Sequence, residues 1–113
     1  MLKRRYARAR SQPTPGAMNK TEQAYRDYLE LHKRDGMIKE YRFEAVKLRL
    51  ANRTFYTPDF MVITNDNTIE LHEVKGFWED DARVKIKVAA EQHWWFKFVA
   101  IQKKGGGWKV EEF

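Results

Sequence analysis

"YTPDFMVITNDNTIELHEVKG", residues 56–76, places charges where a small domain is expected to fill its core. Alternating apolar positions on either side of Asn65, Asp66, Asn67 and Thr68 predict a β-hairpin, with strands over 55–63 and 69–75 joined by a polar turn. Side chains two apart on a strand share a face. Glu73 and Lys75 therefore point the same way as Ile69 and Leu71, about 6–7 Å apart along the strand. Asp59, Met61 and Ile63 form the equivalent face of the partner. Each face is apolar at one end and charged at the other, as expected of a surface that runs from core into a cleft.

A turn centred on Asp66 puts Asp59 opposite Glu73, with β-carbons about 4.5–5.5 Å apart. Like charges that close repel, and Lys75 lies on one side only. A divalent cation between them is the simplest remedy. Oxygen ligands that leave positions for water and phosphate suit Mg2+, with Mn2+ able to substitute. A slip of one residue would send the two carboxylates to opposite faces.

Outward from the hairpin, residues 19–36 carry Ala24, Tyr25, Tyr28, Leu29 and Leu31 at helical spacing, with Gly36 as a stop. Glu22 shares the stripe of Tyr25 and Leu29 and could face the same end of the sheet as the carboxylates. Its spacing from Asn19 equally suits a capping box. Residues 38–50 predict a long strand or the arm of a hairpin. After Gly76, the acids Glu79, Asp80 and Asp81 suit the positive end of a second helix, which carries Ala82, Ile86, Ala89, Ala90 and His93 on one stripe. A β-rich run over 96–101 and a glycine turn at Gly105, Gly106 and Gly107 lead to a last strand with Trp108 and Val110. The order αβββαββ predicts an α/β fold, a mixed sheet flanked by helices.

The bulk composition bounds the function. A chain of 113 residues with 42% apolar and 14% aromatic side chains is one folded domain. Without cysteine it has no disulfide or thiolate metal site, and without a long apolar run no membrane helix is expected. We expect no membrane partner, no small-molecule cofactor and a cytoplasmic location. Residues 1–20 hold Lys3, Arg4, Arg5, Arg8, Arg10 and Lys20 and no acid, which accounts for the whole net charge of +6. Residues 1–18 are expected to form a flexible basic arm and 19–113 the single domain; the arm is equally readable as a mere solubilising extension. The arm and "KLRLANR" (Lys47, Arg49, Arg53) are the candidates for phosphate contacts outside the site.

Pro58-Asp59 followed, after thirteen residues, by Glu73-Val74-Lys75 resembles the PD-(D/E)XK motif of the restriction-endonuclease-like nucleases. The predicted element order is also similar to theirs, over about residues 19–102. The wording "YTPDF" and "HEVKGFW" resembles small phage-associated members, and the arrangement resembles junction-resolving phage endonucleases. The resemblance implies a restriction-endonuclease-like core and a metal-dependent endodeoxyribonuclease. It assigns Asp59, Glu73, the Val74 carbonyl and Glu22 to the metal. Lys75 would contact the attacking water and the scissile phosphate. It also brings the second helix near the site, making Lys85, and less so Lys87, phosphate contacts.

The expected substrate is structured DNA, a Holliday junction or other branch, in phage DNA processing or recombination inside a bacterial host. A homodimer would address two strands. A nicking, restriction-type or transposition-associated nuclease, or a non-catalytic DNA-binding module, stands as the alternative. His72, on the other strand face, is expected to pack or hydrogen-bond beneath the second helix. His32 is expected to continue the buried stripe of the first, and His93, Trp94 and Trp95 to lie at a core boundary, with a base-stacking platform as the alternative; Gln92, like Lys85, is readable as a phosphate contact or as a merely solvated side chain.

Overall fold

The structure is a computed structural model and describes residues 17–113. Helix α1 (Lys20–Arg34) starts at Asn19, whose side chain accepts from the Glu22 N–H at 2.8 Å while Glu22 Oε1 accepts from the Asn19 N–H at 3.0 Å. This reciprocal capping box satisfies two N–H groups that the first turn cannot bond internally. Gly36, at φ +75°, takes the left-handed conformation that lets the chain turn away. Of the stripe read from sequence, Tyr25 and Leu29 are buried and Leu31 is exposed.

Residues 38–50 do not form one strand. Strand β1 (Ile38–Phe43) ends at Glu44, whose φ of 50° breaks the extended run, and β2 (Leu48–Ala51) begins a separate hairpin with β3 (Thr54–Tyr56). The strand expected over 55–63 is likewise broken at Pro58-Asp59, with β4 (Phe60–Thr64) resuming after it. Proline has no N–H to give a ladder, so the break falls where the backbone cannot pair. Strand β5 (Ile69–Lys75), helix α2 (Asp80–Gln92), β6 (Lys97–Lys104) and β7 (Gly107–Glu112) complete the chain.

The main sheet has five strands in the order β1-β4-β5-β6-β7, and the β2–β3 hairpin stands apart from it. Only β5 and β6 run parallel, and α2 is the crossover between them. The fold is thus α/β with a mixed sheet and two helices. Setting β2–β3 aside as an insertion leaves the expected seven-element order. The β4–β5 register pairs Phe60 with His72 and Ile63 with Ile69, the register of a turn centred on Asp66.

The helices cover opposite faces. Tyr25 and Leu29 of α1 pack with Phe60, Val62, Val74, Val99 and Ile101; Ile86 and Ala89 of α2 pack with Leu71, Phe98 and Ala100, together with Leu48 and Tyr56 of the hairpin. Alternation along β5 therefore sends 70, 72 and 74 toward α1 and 71, 73 and 75 toward α2. His72 is buried under α1, not α2, where its ring meets the Tyr25 hydroxyl at 2.7 Å and Glu70 at 2.8 Å. Met18 packs against the α1 core, so the compact body begins no later than residue 18, within the span read as arm. Among the described residues no helix is long and apolar enough to cross a membrane.

Candidate active site

Asp59 lies just before β4, beyond the last β4–β5 pair, Phe60 with His72. Val74 is consequently past the ladder on that edge, and its N–H donates to Asp59 Oδ2 at 2.8 Å. The carboxylate thus stands in for a missing strand. The Val74 carbonyl lies on the same edge, because N–H and C=O of an extended residue point to one side. Asp59 is 7% exposed and Glu73 9%.

Glu73 Oε1 accepts from the Tyr56 hydroxyl at 2.8 Å, and Glu73 Oε2 lies 3.3 Å from the Lys75 ammonium. Burial pushes the Asp59 carboxyl up to about 8, reinforced by the charges of Glu73 and Glu22 and opposed by the Val74 N–H and Lys75. Burial likewise raises Glu73, against the pull of Lys75 and the Tyr56 hydroxyl. Burial alone would lower Lys75, but the charges of Glu73, Asp59 and Glu22 outweigh it and the ammonium is held more firmly protonated. Two neighbouring buried carboxylates that resist joint ionisation are short of positive charge. One lysine offsets one of them.

Glu73 and Lys75 form one wall of a cleft of about 400 Å3, with Tyr56 and Phe55 of the hairpin and Lys85 and Ile86 of α2 around it. Lys85 Nζ is 5.8 Å from the centre of the Tyr56 ring. Asp59 sits behind this wall and does not line the cleft. Of the other sequence candidates, Lys87 is exposed on α2 away from the cleft lining, and Lys47, Arg49 and Arg53 are exposed on the β2–β3 hairpin. Lys3, Arg4, Arg5, Arg8 and Arg10 lie outside the described residues.

Glu22 reaches the site by charge rather than contact, acting on both Asp59 and Lys75 while its carboxylate closes the α1 capping box. Among the described residues, no three His, Cys, Asp or Glu side chains are gathered into a metal-binding group. Two carboxylates and a backbone carbonyl are what the strands bring together. Tyr56 is the site residue that strand alternation did not single out. It is buried because it packs with Leu48, Leu71 and Ile86 on the α2 side of the sheet.

The α2 C-terminus also differs from expectation. Trp94 is 76% and Trp95 58% exposed, so the pair is surface and not core boundary. Just before them, at the helix C-cap, His93 Nε2–H donates to the Arg49 carbonyl at 2.9 Å and ties the helix end to the hairpin. No family model matches this chain, and comparison with curated proteins and with solved structures yields no match.

Proposed function

We propose that this protein is a metal-dependent DNA endonuclease that hydrolyses phosphodiester bonds, with branched or otherwise structured DNA as its substrate. The observation that carries the reading is the pair of buried carboxylates, Asp59 and Glu73, both raised by burial, with Glu73 ion-paired to Lys75 at the wall of an open cleft. The same three residues carry the resemblance to PD-(D/E)XK nucleases, and the α/β order supports it.

The donor set fits a hard divalent ion. It is all oxygen, comprising Asp59, Glu73 and the Val74 carbonyl, and Asp59 Oδ1 accepts no hydrogen bond among the described residues. A bound Mg2+ supplies Lewis-acid polarisation of a phosphate oxygen and a more acidic water. Glu22 joins the set if it leaves its cap. Lys75 is held more firmly protonated by Glu73 first, with Asp59 and Glu22, so it acts as a cation and hydrogen-bond donor toward the phosphate or the attacking water, not as a base. Lys85, across the cleft, offers a second cation to the same phosphate. Tyr56 fixes the Glu73 carboxylate from the far side.

A four-way junction, a flap, a linear duplex and a single strand incubated with the protein, with and without Mg2+, test the reading. Magnesium-dependent cutting lost in Lys75→Ala supports it, and preference for plain duplex shifts the job to a nicking or restriction-type nuclease. A second reading, a DNA-binding module without catalysis, is favoured by the way Val74, Tyr56 and Lys75 already satisfy the carboxylates. Salt-dependent binding with no cleavage in Mg2+ or Mn2+ is its signature.

A further inference from the structure

The β2–β3 hairpin lies outside the main sheet, and it carries an unusual surface. Residues 47–57 contain Lys47, Arg49 and Arg53 and no acid. Within the ladder Arg49 pairs with Phe55 and Leu48 with Tyr56. Leu48 and Tyr56 are buried, so Arg49 and Phe55 share the outer face. Phe55 is 46% exposed, and the Lys47 ammonium stands 4.6 Å from its ring centre. Phe55 also lines the cleft that holds Glu73 and Lys75.

The aromatic surface continues past the hairpin. His93 bonds to Arg49 at the end of α2, and its ring meets that of Trp95 edge-on at 5.3 Å, which sets Trp95 beside β2. Trp94 follows, its ring 5.7 Å from that of Trp95 and turned by 76°. Exposed large rings of this kind mark a binding surface. Cations interleaved with them, and no acid on the hairpin, fit a polyanion better than an apolar protein face. Rings set at steep angles present separate facets, which suit splayed bases and not the closed stack of a duplex.

We infer that the outer face of the β2–β3 hairpin and the Trp94–Trp95 corner form a track for unpaired DNA, with Phe55 stacking a base at the mouth of the cleft. Lys47, Arg49 and Arg53 hold the phosphates between. This deepens the nuclease reading by naming the unpaired arm of a branched substrate, and it rests on that reading for its place next to the cut.

The test uses the whole chain in EDTA, where binding is measured without metal-dependent cleavage. A fluorescein-labelled oligothymidylate about 20 nucleotides long and a blunt duplex of the same length are titrated by anisotropy, with tryptophan emission followed in parallel. We expect the single strand to bind more tightly and to quench the tryptophans. Phe55→Leu, which keeps apolar bulk, and the double variant Trp94→Ala/Trp95→Ala should each weaken it by about fivefold or more and leave the duplex within about twofold. Unchanged single-strand affinity in both variants overturns the track. So does a sedimentation profile in which the wild type self-associates, the double variant does not, and no oligothymidylate is bound, since the surface then serves a second copy of the chain. Loss of magnesium-dependent cutting with single-strand binding intact strikes the nuclease reading instead and leaves the track standing.

Discussion

Asp59 accepts a hydrogen bond from the backbone N–H of Val74 at 2.8 Å, across fifteen positions of chain. A side chain thereby closes the strand edge that Pro58 leaves open, and it does so one residue from Glu73. The same contact that completes the sheet holds a second buried carboxylate beside Glu73, behind the wall of the cleft.

The pH dependence of stability follows from that burial. The Asp59 carboxyl rises from an unfolded value of about 3.9 to about 8 in the folded protein, and Glu73 rises as well. The folded state therefore binds more protons than the unfolded chain between about pH 4 and about pH 8, and stability falls as pH rises through that window. The lowered carboxyls, such as Glu30, Glu40 and Asp66, act in the opposite sense but below it. Thermal melts at pH 5 and pH 8.5 should show a lower midpoint at the higher pH. Mg2+ should restore it mainly at pH 8.5, where it replaces the lost protons. A midpoint that rises steadily to pH 8.5 without metal contradicts the assignment.

Asp59→Asn keeps a carbonyl oxygen for the Val74 N–H and removes the charge. The variant should flatten the pH dependence of the melt and lose detectable cleavage. Normal magnesium-dependent cutting by this variant would exclude Asp59 from the site.

Lys75→Ala removes the cation 3.3 Å from Glu73, the ion-pair partner of that buried carboxylate. Cleavage should drop by about 10²-fold or more, as for loss of a donor aimed at developing charge. Anisotropy in EDTA should show DNA affinity within a few-fold of wild type, because Lys75 is one cation among many.

Glu22→Gln separates cap from ligand. Glutamine also closes a capping box, so the melting midpoint should hardly move. A large drop in magnesium-dependent cleavage at unchanged stability places Glu22 at the metal; unchanged cleavage leaves it as a cap.

Tyr25→Phe probes the opposite face of β5. Its hydroxyl bonds to the buried His72, and removing it should cost about 1–2 kcal/mol while activity measured below the melting range stays constant. Urea denaturation of the two proteins gives the difference.

The hairpin from Phe60 to Lys75, its register and the shared face of Glu73 and Lys75 were legible from alternation and turn chemistry, because both are local properties of the chain. So were the two helices, whose apolar stripes, and for α1 the capping box, lie within one or two turns. The breaks at Glu44 and Pro58 were not read as such, although proline at position 58 was a visible signal. Which face each helix covers, and so the burial of His72 under α1 and of Tyr56 over Glu73, depends on β5 pairing with β6 across the α2 crossover. That is long-range packing, and alternation is silent about it, since it says which residues share a side and never what lies against that side. The exposure of Trp94 and Trp95 was equally beyond local reading, since the end of α2 is tied by the His93–Arg49 hydrogen bond to a strand more than forty residues earlier in the chain.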